Sequence, residues 1–255
     1  HPKEAAEGLG DNPFELKNIM KHWVKNTEMH YIPTDTIEIS LDKEALRKIG
    51  MMLPDSIPDK MYLPLKKRGL YKSELMMLEM MANDNWQRPL FIAITVGSEN
   101  HLGMDNYFVQ EGLAYRLTPF NWVELGETTG EHAIDSEKMY TNLMERYKYG
   151  GVDKPGIYLD ESVMRRAGTH RLMFSILLKQ LLAEGKKDKA LKALQYCNEM
   201  IPDYNVPHSH QTGSLDLAQS WVEIGQKEEA SNIYNEMAVN ASQYCTYFLS
   251  LADYH

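Results

Sequence analysis

The run Leu90-Phe91-Ile92-Ala93-Ile94-Thr95-Val96 limits most strongly what this chain can fold into. It is continuous, uncharged and rich in β-branched and aromatic side chains, which predicts a strand buried on both faces. Asn83-Asp84-Asn85 gives a turn before it, and Pro89 falls at its first position, where a missing N–H loses no ladder bond. Gly97 ends it and the polar loop Ser98-Glu99-Asn100-His101 follows. Asp105 then stands where it can cap a short helix through Gln110, Gly112 breaks that helix, and Ala114 to Phe120 alternates as a second strand. Neighbouring strands joined by a helix are normally parallel, so a central parallel unit is expected here.

Upstream, Leu16, Ile19, Met20 and Trp23 recur at helical spacing between Glu15 and Lys25. Tyr31-Ile32-Pro33-Thr34-Asp35 reads as an extended connector, Thr36 to Leu41 as a half-buried strand, and Asp42 as the cap of a short helix ending near Gly50. Prolines 54, 58 and 64 bracket a loop and a strand from Lys60 to Leu65. Ser73 is placed to cap the next helix, with Glu74 in its first turn. Leu75, Met76, Leu78, Met80 and Met81 make that helix apolar on most sides, which predicts burial against a sheet, with core filling weighed against a Met-lined groove. This helix and the 90–96 strand suggest a second parallel unit.

Beyond Phe120 a polar loop runs through Gly130, and a helix is expected from Ser136 to Tyr147. Tyr149-Gly150-Gly151 and Lys154-Pro155-Gly156 form a turn-rich joint, which sets a domain boundary near residue 155. The rest is helical and repeats itself. With Gly185 and Gly225 taken as equivalent the period is 40, against about 34 for a tetratricopeptide repeat. Phe174, Leu177, Leu181, Gly185, Ala190, Leu194 and Pro202 fill the large, turn, small and stop positions of such a unit. Leu217, Ala218, Trp221, Gly225, Ala230 and Tyr234 match in the second, while Ser214 and Ser242 depart. The predicted fold is therefore a small, partly parallel α/β sheet domain over residues 1–155, followed by an all-α, tetratricopeptide-like domain over 156–255.

Composition narrows the function. The 255 residues are 43% apolar and 25% charged, ordinary for a globular chain, and contain no uninterrupted apolar run of membrane-spanning length. The opening residues His1-Pro2-Lys3-Glu4 form no signal peptide, and an excised fragment is expected. A net charge of −9 disfavours nucleic acid as a partner. Between Arg165 and Lys192, however, eight basic residues face only Glu184 and Asp188, which reads either as a solvated helix pair or as a face for anionic headgroups or an acidic partner. The two cysteines, Cys197 and Cys245, cannot build a disulfide framework or a zinc site, and free thiols are expected.

Candidate chemistry is sparse. No nucleophile elbow, phosphate loop or H-E-x-x-H motif occurs, so no catalytic residue, metal site or cofactor is assigned. His208-x-His210 is either a metal pair or a solvated loop, and Glu131-His132 and Thr169-His170 lack partners. Gly97, Ser98, Asn100 and His101 form a loop at the carboxyl end of the expected buried strand, which reads as a ligand loop or as a connector. The first helix of each tetratricopeptide unit lines the concave face; by that rule Ser175, Lys179, Gln219 and Val222 point into a groove that suits an extended peptide, unless another part of the chain fills it. Asp55-Ser56-Ile57 matches a short pattern at which some bacteria O-glycosylate envelope proteins.

Several stretches also carry a family likeness. Asn85-Trp86-x-Arg88-Pro89-Leu90-Phe91-x-Ala93-x-Thr95-Val96-Gly97, Leu102-Gly103-x-Asp105-x-Tyr107-Phe108 and Glu111-Gly112-Leu113-Ala114-Tyr115-Arg116-Leu117 resemble the soluble C-terminal part of bacterial protein O-mannosyltransferase-like membrane glycosyltransferases. Tyr31-Ile32-Pro33-Thr34, Leu70 to Met76 and the helical tail follow in order. The resemblance implies a non-catalytic accessory domain on the periplasmic side of the inner membrane. Its implied partners are the transmembrane part of the parent protein, which carries the chemistry, and extended segments of acceptor proteins. The alternative is an independent peptide-binding scaffold.

Overall fold

The computed structural model describes residues 7, 12–26, 28, 31–65, 69–128 and 132–252. The opening four residues, Gly130 and Glu131 of the readings above lie outside these. The chain forms two compact units, one comprising His1–Gln110 and Ala114–Asp135, the other Glu111–Leu113 and Ser136–His255. The boundary expected near residue 155 differs from this division, in which the continuous part of the second unit runs from Ser136 and the tripeptide Glu111–Leu113 joins it from upstream.

The first unit is α+β. Helix α1 (Leu16–Asn18) runs on into a π-helical turn, Ile19–Val24, and buries the Leu16, Ile19, Met20 and Trp23 face that its spacing predicts. Strands β1 (Thr36–Ser40) and β2 (Lys60–Pro64) pair antiparallel with Glu38 opposite Tyr62. Between them lies α2 (Lys43–Lys48), capped by the Asp42 carboxylate on the backbone N–H groups of Glu44 and Ala45. Ile37, Ile39, Leu46, Met61 and Leu63 join Trp23 and Trp122 in one apolar core. Helix α3 (Lys72–Asp84) starts earlier than Ser73 suggests: Tyr71 is the cap, and its N–H donates to Glu74 at 2.7 Å.

A second, four-stranded sheet has the order β3-β5-β4-β6, with β3 (Phe91–Ala93), β4 (Phe108–Gln110), β5 (Ala114–Leu117) and β6 (Ala133–Ile134). Here the structure corrects the reading. The 90–96 run is not a central buried strand. It contributes only β3, at the sheet edge, with Phe91 and Ala93 exposed and Ile92 half-buried. β3 and β5 pair antiparallel, as do β4 and β5; the parallel pair is β4–β6, so the expected parallel units on either side of the 90–96 run do not form. The buried strand is β4, all three residues of which are inside. The helix expected from Asp105 to Gln110 is a 3₁₀ turn, Asp105–Tyr107, leading straight into it.

α3 is also less buried than its methionines suggest. Glu74, Leu78, Met81, Ala82 and Asp84 face inward, while Met76 and Met80 are exposed.

The second unit is helical. A short helix α4 (Ser136–Thr141) continues as a π-helical turn, Asn142–Arg146. Two helix–turn–helix pairs follow: α5 (Glu161–Ala183) with α6 (Lys187–Met200), and α7 (Ser214–Ile224) with α8 (Lys227–Ala252). Gly185 and Gly225 make the two turns at φ 72° and 95°, a left-handed backbone that favours glycine. α5 packs on α6 and α7, and α7 also packs on α6 and α8. Phe174, Leu177, Leu181, Ala190 and Leu194 are fully buried in the first pair, as are Leu217 and Ala218 in the second. Tyr234 departs from the pattern and is 42% exposed. α7 can approach α5 because residue 213 is glycine: a Cβ there would lie 2.4 Å from Ser175 Oγ. Both thiols are free, Cys197 inside and Cys245 on the surface.

Candidate functional site

In the 97–103 loop Gly97 precedes a single 3₁₀ turn, Ser98–Asn100, in which the Asn100 side-chain amide donates to Glu99 Oε1 at 3.0 Å. His101 is 4% exposed, with Nδ1 2.6 Å from Asp105 Oδ1 and Nε2 3.1 Å from the Val96 carbonyl oxygen. Its ring stands edge-on to Phe108 at 5.0 Å. Both ring nitrogens are thus taken up in closing the loop on itself.

The histidine pair at 208 and 210 does not converge on a metal. His208 is buried with Nδ1 2.9 Å from Ser214 Oγ, and His210 is exposed at the start of a 3₁₀ turn. Among the described residues no group of three or more His, Cys, Asp or Glu could hold a metal ion. Burial, with Arg171 nearby, pushes the His208 imidazole down to about 4, so it is neutral at physiological pH.

The four groove residues separate. Ser175 is fully buried on α5, donating to the Leu172 carbonyl oxygen at 2.8 Å, and cannot face a ligand. Lys179 and Gln219 come together in a depression of about 240 Å³ between α5 and α7, lined also by Leu182, Asp216, Ser220 and Glu223. Lys179 Nζ meets Asp216 Oδ1 at 2.7 Å, and Gln219 donates to Glu223 at 3.2 Å. Val222 is exposed on α7 but does not line the depression. Asp216 and Glu223 were not among the expected groove residues; lying three residues before and four after Gln219, they share its helix face.

The basic run from Arg165 to Lys192 is not a continuous cationic face. Arg171 is buried, Arg165 pairs with Glu161, and Lys186 and Lys189 both clasp Glu137. Those two lysines hold the Glu137 carboxyl down at about 2. The solvated reading fits these pairings.

The stretches that carried the likeness turn out to hold the first unit together. Asn85 and Trp86 take left-handed φ of 49° and 59°, reversing the chain after α3 so that Trp86 is buried. The buried Asp84 carboxylate accepts from the N–H and Nε of Arg88 at 3.2 and 3.1 Å, which fixes that reversal. Tyr107 donates to the Tyr62 carbonyl oxygen at 2.8 Å, and Arg116 to those of Ile49 and Gly50, at the carboxyl end of α2. A family model described as TMEM260-associated domain 2 matches residues 6–138. The chain belongs to this family. The matched residues of this TMEM260-associated domain include Asp84, Trp86, Arg88, Tyr107 and Arg116, whose contacts are given above. The α5–α7 depression lies downstream of the matched residues. No curated protein and no solved structure matches the chain. No helix among the described residues is long and apolar enough to cross a membrane.

Proposed function

We propose that this chain is a non-catalytic accessory domain of a membrane protein glycosyltransferase. It faces the periplasm and recognises or docks acceptor proteins for the parent's transmembrane part. The observation that carries the glycosyltransferase association is the family match over residues 6–138, because TMEM260 is a candidate protein O-mannosyltransferase. The helical unit supports a role in acceptor recognition: its two helix–turn–helix pairs read as a tetratricopeptide-like array, in which the depression between the first helices takes an extended segment. Lys179 and Asp216 would offer one charge of each sign there, with Gln219 for the peptide backbone.

The test is sugar transfer from a lipid-linked donor to acceptor protein by the full-length parent, compared with the parent lacking this domain. Transfer should fall for folded acceptors and persist for the smallest acceptor peptides. The purified chain alone should transfer nothing. Unchanged transfer without the domain, or transfer by the domain alone, overturns the reading. A second reading, an independent peptide-binding scaffold, draws on the same α5–α7 depression; it requires equal acceptor binding by the isolated chain and by the parent.

A further inference from the structure

Helix α8 is longer than anything it packs against in its own pair. It runs 26 residues against 11 for α7, about 39 Å against about 17 Å at 1.5 Å per residue. Its first turns bury Ala230 and Ile233, but from residue 241 to 250 every residue is exposed. The sequence does not turn polar where the cover ends. Ala230, Tyr234, Met237, Ala241, Tyr244, Phe248 and Leu251 continue at alternating spacings of four and three, the seam of a two-helix coil. On that seam Tyr244 is 65%, Phe248 62% and Leu251 43% exposed, with Tyr247 beside it at 58%. Such a spacing specifies a helical partner.

Charge says which helix. In a chain that is 25% charged with a net −9, Met237 to Leu251 carries no Asp, Glu, Lys or Arg. Positions flanking the seam, where charges normally choose the partner, hold Ala238, Asn240, Cys245 and Tyr247. A neutral, self-complementary seam lets two equally acidic chains meet without placing like charges opposite each other.

We infer that the α8 overhang is a self-association surface, pairing antiparallel with the overhang of a second copy of this chain. Antiparallel pairing opposes the two helix dipoles and keeps Glu228, Glu229 and Glu236 of each copy away from the dyad. The dyad then falls near residue 246, and Cys245 approaches its counterpart on the same flank. The four apolar side chains, at roughly 100 Å² each, make a contact of about 800–1,000 Å² in total, the size of weak encounters. Such a contact is a weak, reversible one, so the dimer should form and dissociate with concentration.

Sedimentation equilibrium of the 255-residue chain, with a short bis-maleimide as a second readout, tests this. Cys197 is 1% exposed, so Cys245 is the thiol that reacts. The expected result is a concentration-dependent dimer, linked through Cys245 and not linked in Cys245→Ser. Phe248→Glu and, separately, Tyr244→Glu should each weaken it at least about tenfold without moving Tm, because both side chains are exposed in the single chain. A chain that stays monomeric at several hundred micromolar overturns the inference, as does a dimer that survives both substitutions. A dimer without the Cys245 link overturns the antiparallel register. A monomer that floats with phosphatidylcholine–phosphatidylglycerol vesicles overturns it too and assigns the overhang to lipid.

Discussion

The guanidinium of Arg171 donates to the carbonyl oxygen of Val206 at 2.6 Å across thirty-five residues of sequence. It also reaches the carbonyls of Ile201 and Pro207, so one buried cation holds the loop between the two helix pairs, which joins α6 to α7. Arg171→Met leaves three carbonyl groups without this donor and should destabilise the helical unit by about 3–5 kcal/mol. Arg171→Lys, with no fork to span three acceptors, should recover less than half of it. Urea unfolding followed by circular dichroism gives both values; a change below about 1 kcal/mol for Met would show that the loop does not depend on the arginine.

His208 gives the same loop an acid limit. Its imidazole is near 4 when folded and about 6.5 when unfolded, because burial favours the neutral ring. The unfolded chain therefore binds a proton first as the pH falls. Stability is complete above about 6.5 and declines through the window down to about 4, by on the order of 3 kcal/mol. Glu137, held near 2, is still ionised throughout that window. Denaturation midpoints at pH 7.5, 6, 5 and 4 should show the decline in the native chain and a flatter profile in His208→Gln. Parallel profiles for the two would remove His208 as the cause.

In the first unit the sheet positions should rank by strand order, not by hydrophobicity. Leu117, on interior strand β5, is 3% exposed, whereas Ile92 on the edge strand is only half-buried. Leu117→Ala should cost about 2–5 kcal/mol and Ile92→Ala less than about 2. Equal losses would restore the 90–96 run to the centre of the sheet.

The reversal after α3 separates side chain from backbone. Trp86→Ala should cost about 3–5 kcal/mol through the cavity left in the core. Asn85→Gly should change stability by less than about 1 kcal/mol, since relief of its left-handed backbone offsets the lost contact from Lys17 at 2.8 Å. Thermal melts of the two variants check the contrast.

These contrasts show how far the sequence could be read. Amphipathic helices were legible: the Leu16, Ile19, Met20 and Trp23 face, the Asp42 cap and the Gly185 and Gly225 turns all stand where their spacing puts them. Sheet order was not. A short apolar run looks the same whether it lies at the centre of a sheet or at its edge, and β4 hides its burial behind Gln110 and a length of three residues. Lys179 and Gln219 line one depression, as their helix positions allow, whereas the burial of Ser175 was not legible, because it depends on the close approach of Gly213, which no periodicity in α5 reports.

Residues 111–113 belong to the helical unit although strands of the other unit flank them on both sides. Asn142 donates to the Glu111 carbonyl oxygen at 2.7 Å, and the Leu113 N–H donates to Tyr147 Oη at 3.1 Å. The chain therefore passes from one unit to the other three times. A gene fragment started at 136 or at 156 discards the tripeptide to which Asn142 and Tyr147 bond, so neither cut yields a whole helical unit. On the ribosome the tripeptide emerges well before Asn142 and Tyr147 and must wait for them, which makes this unit a late one to close.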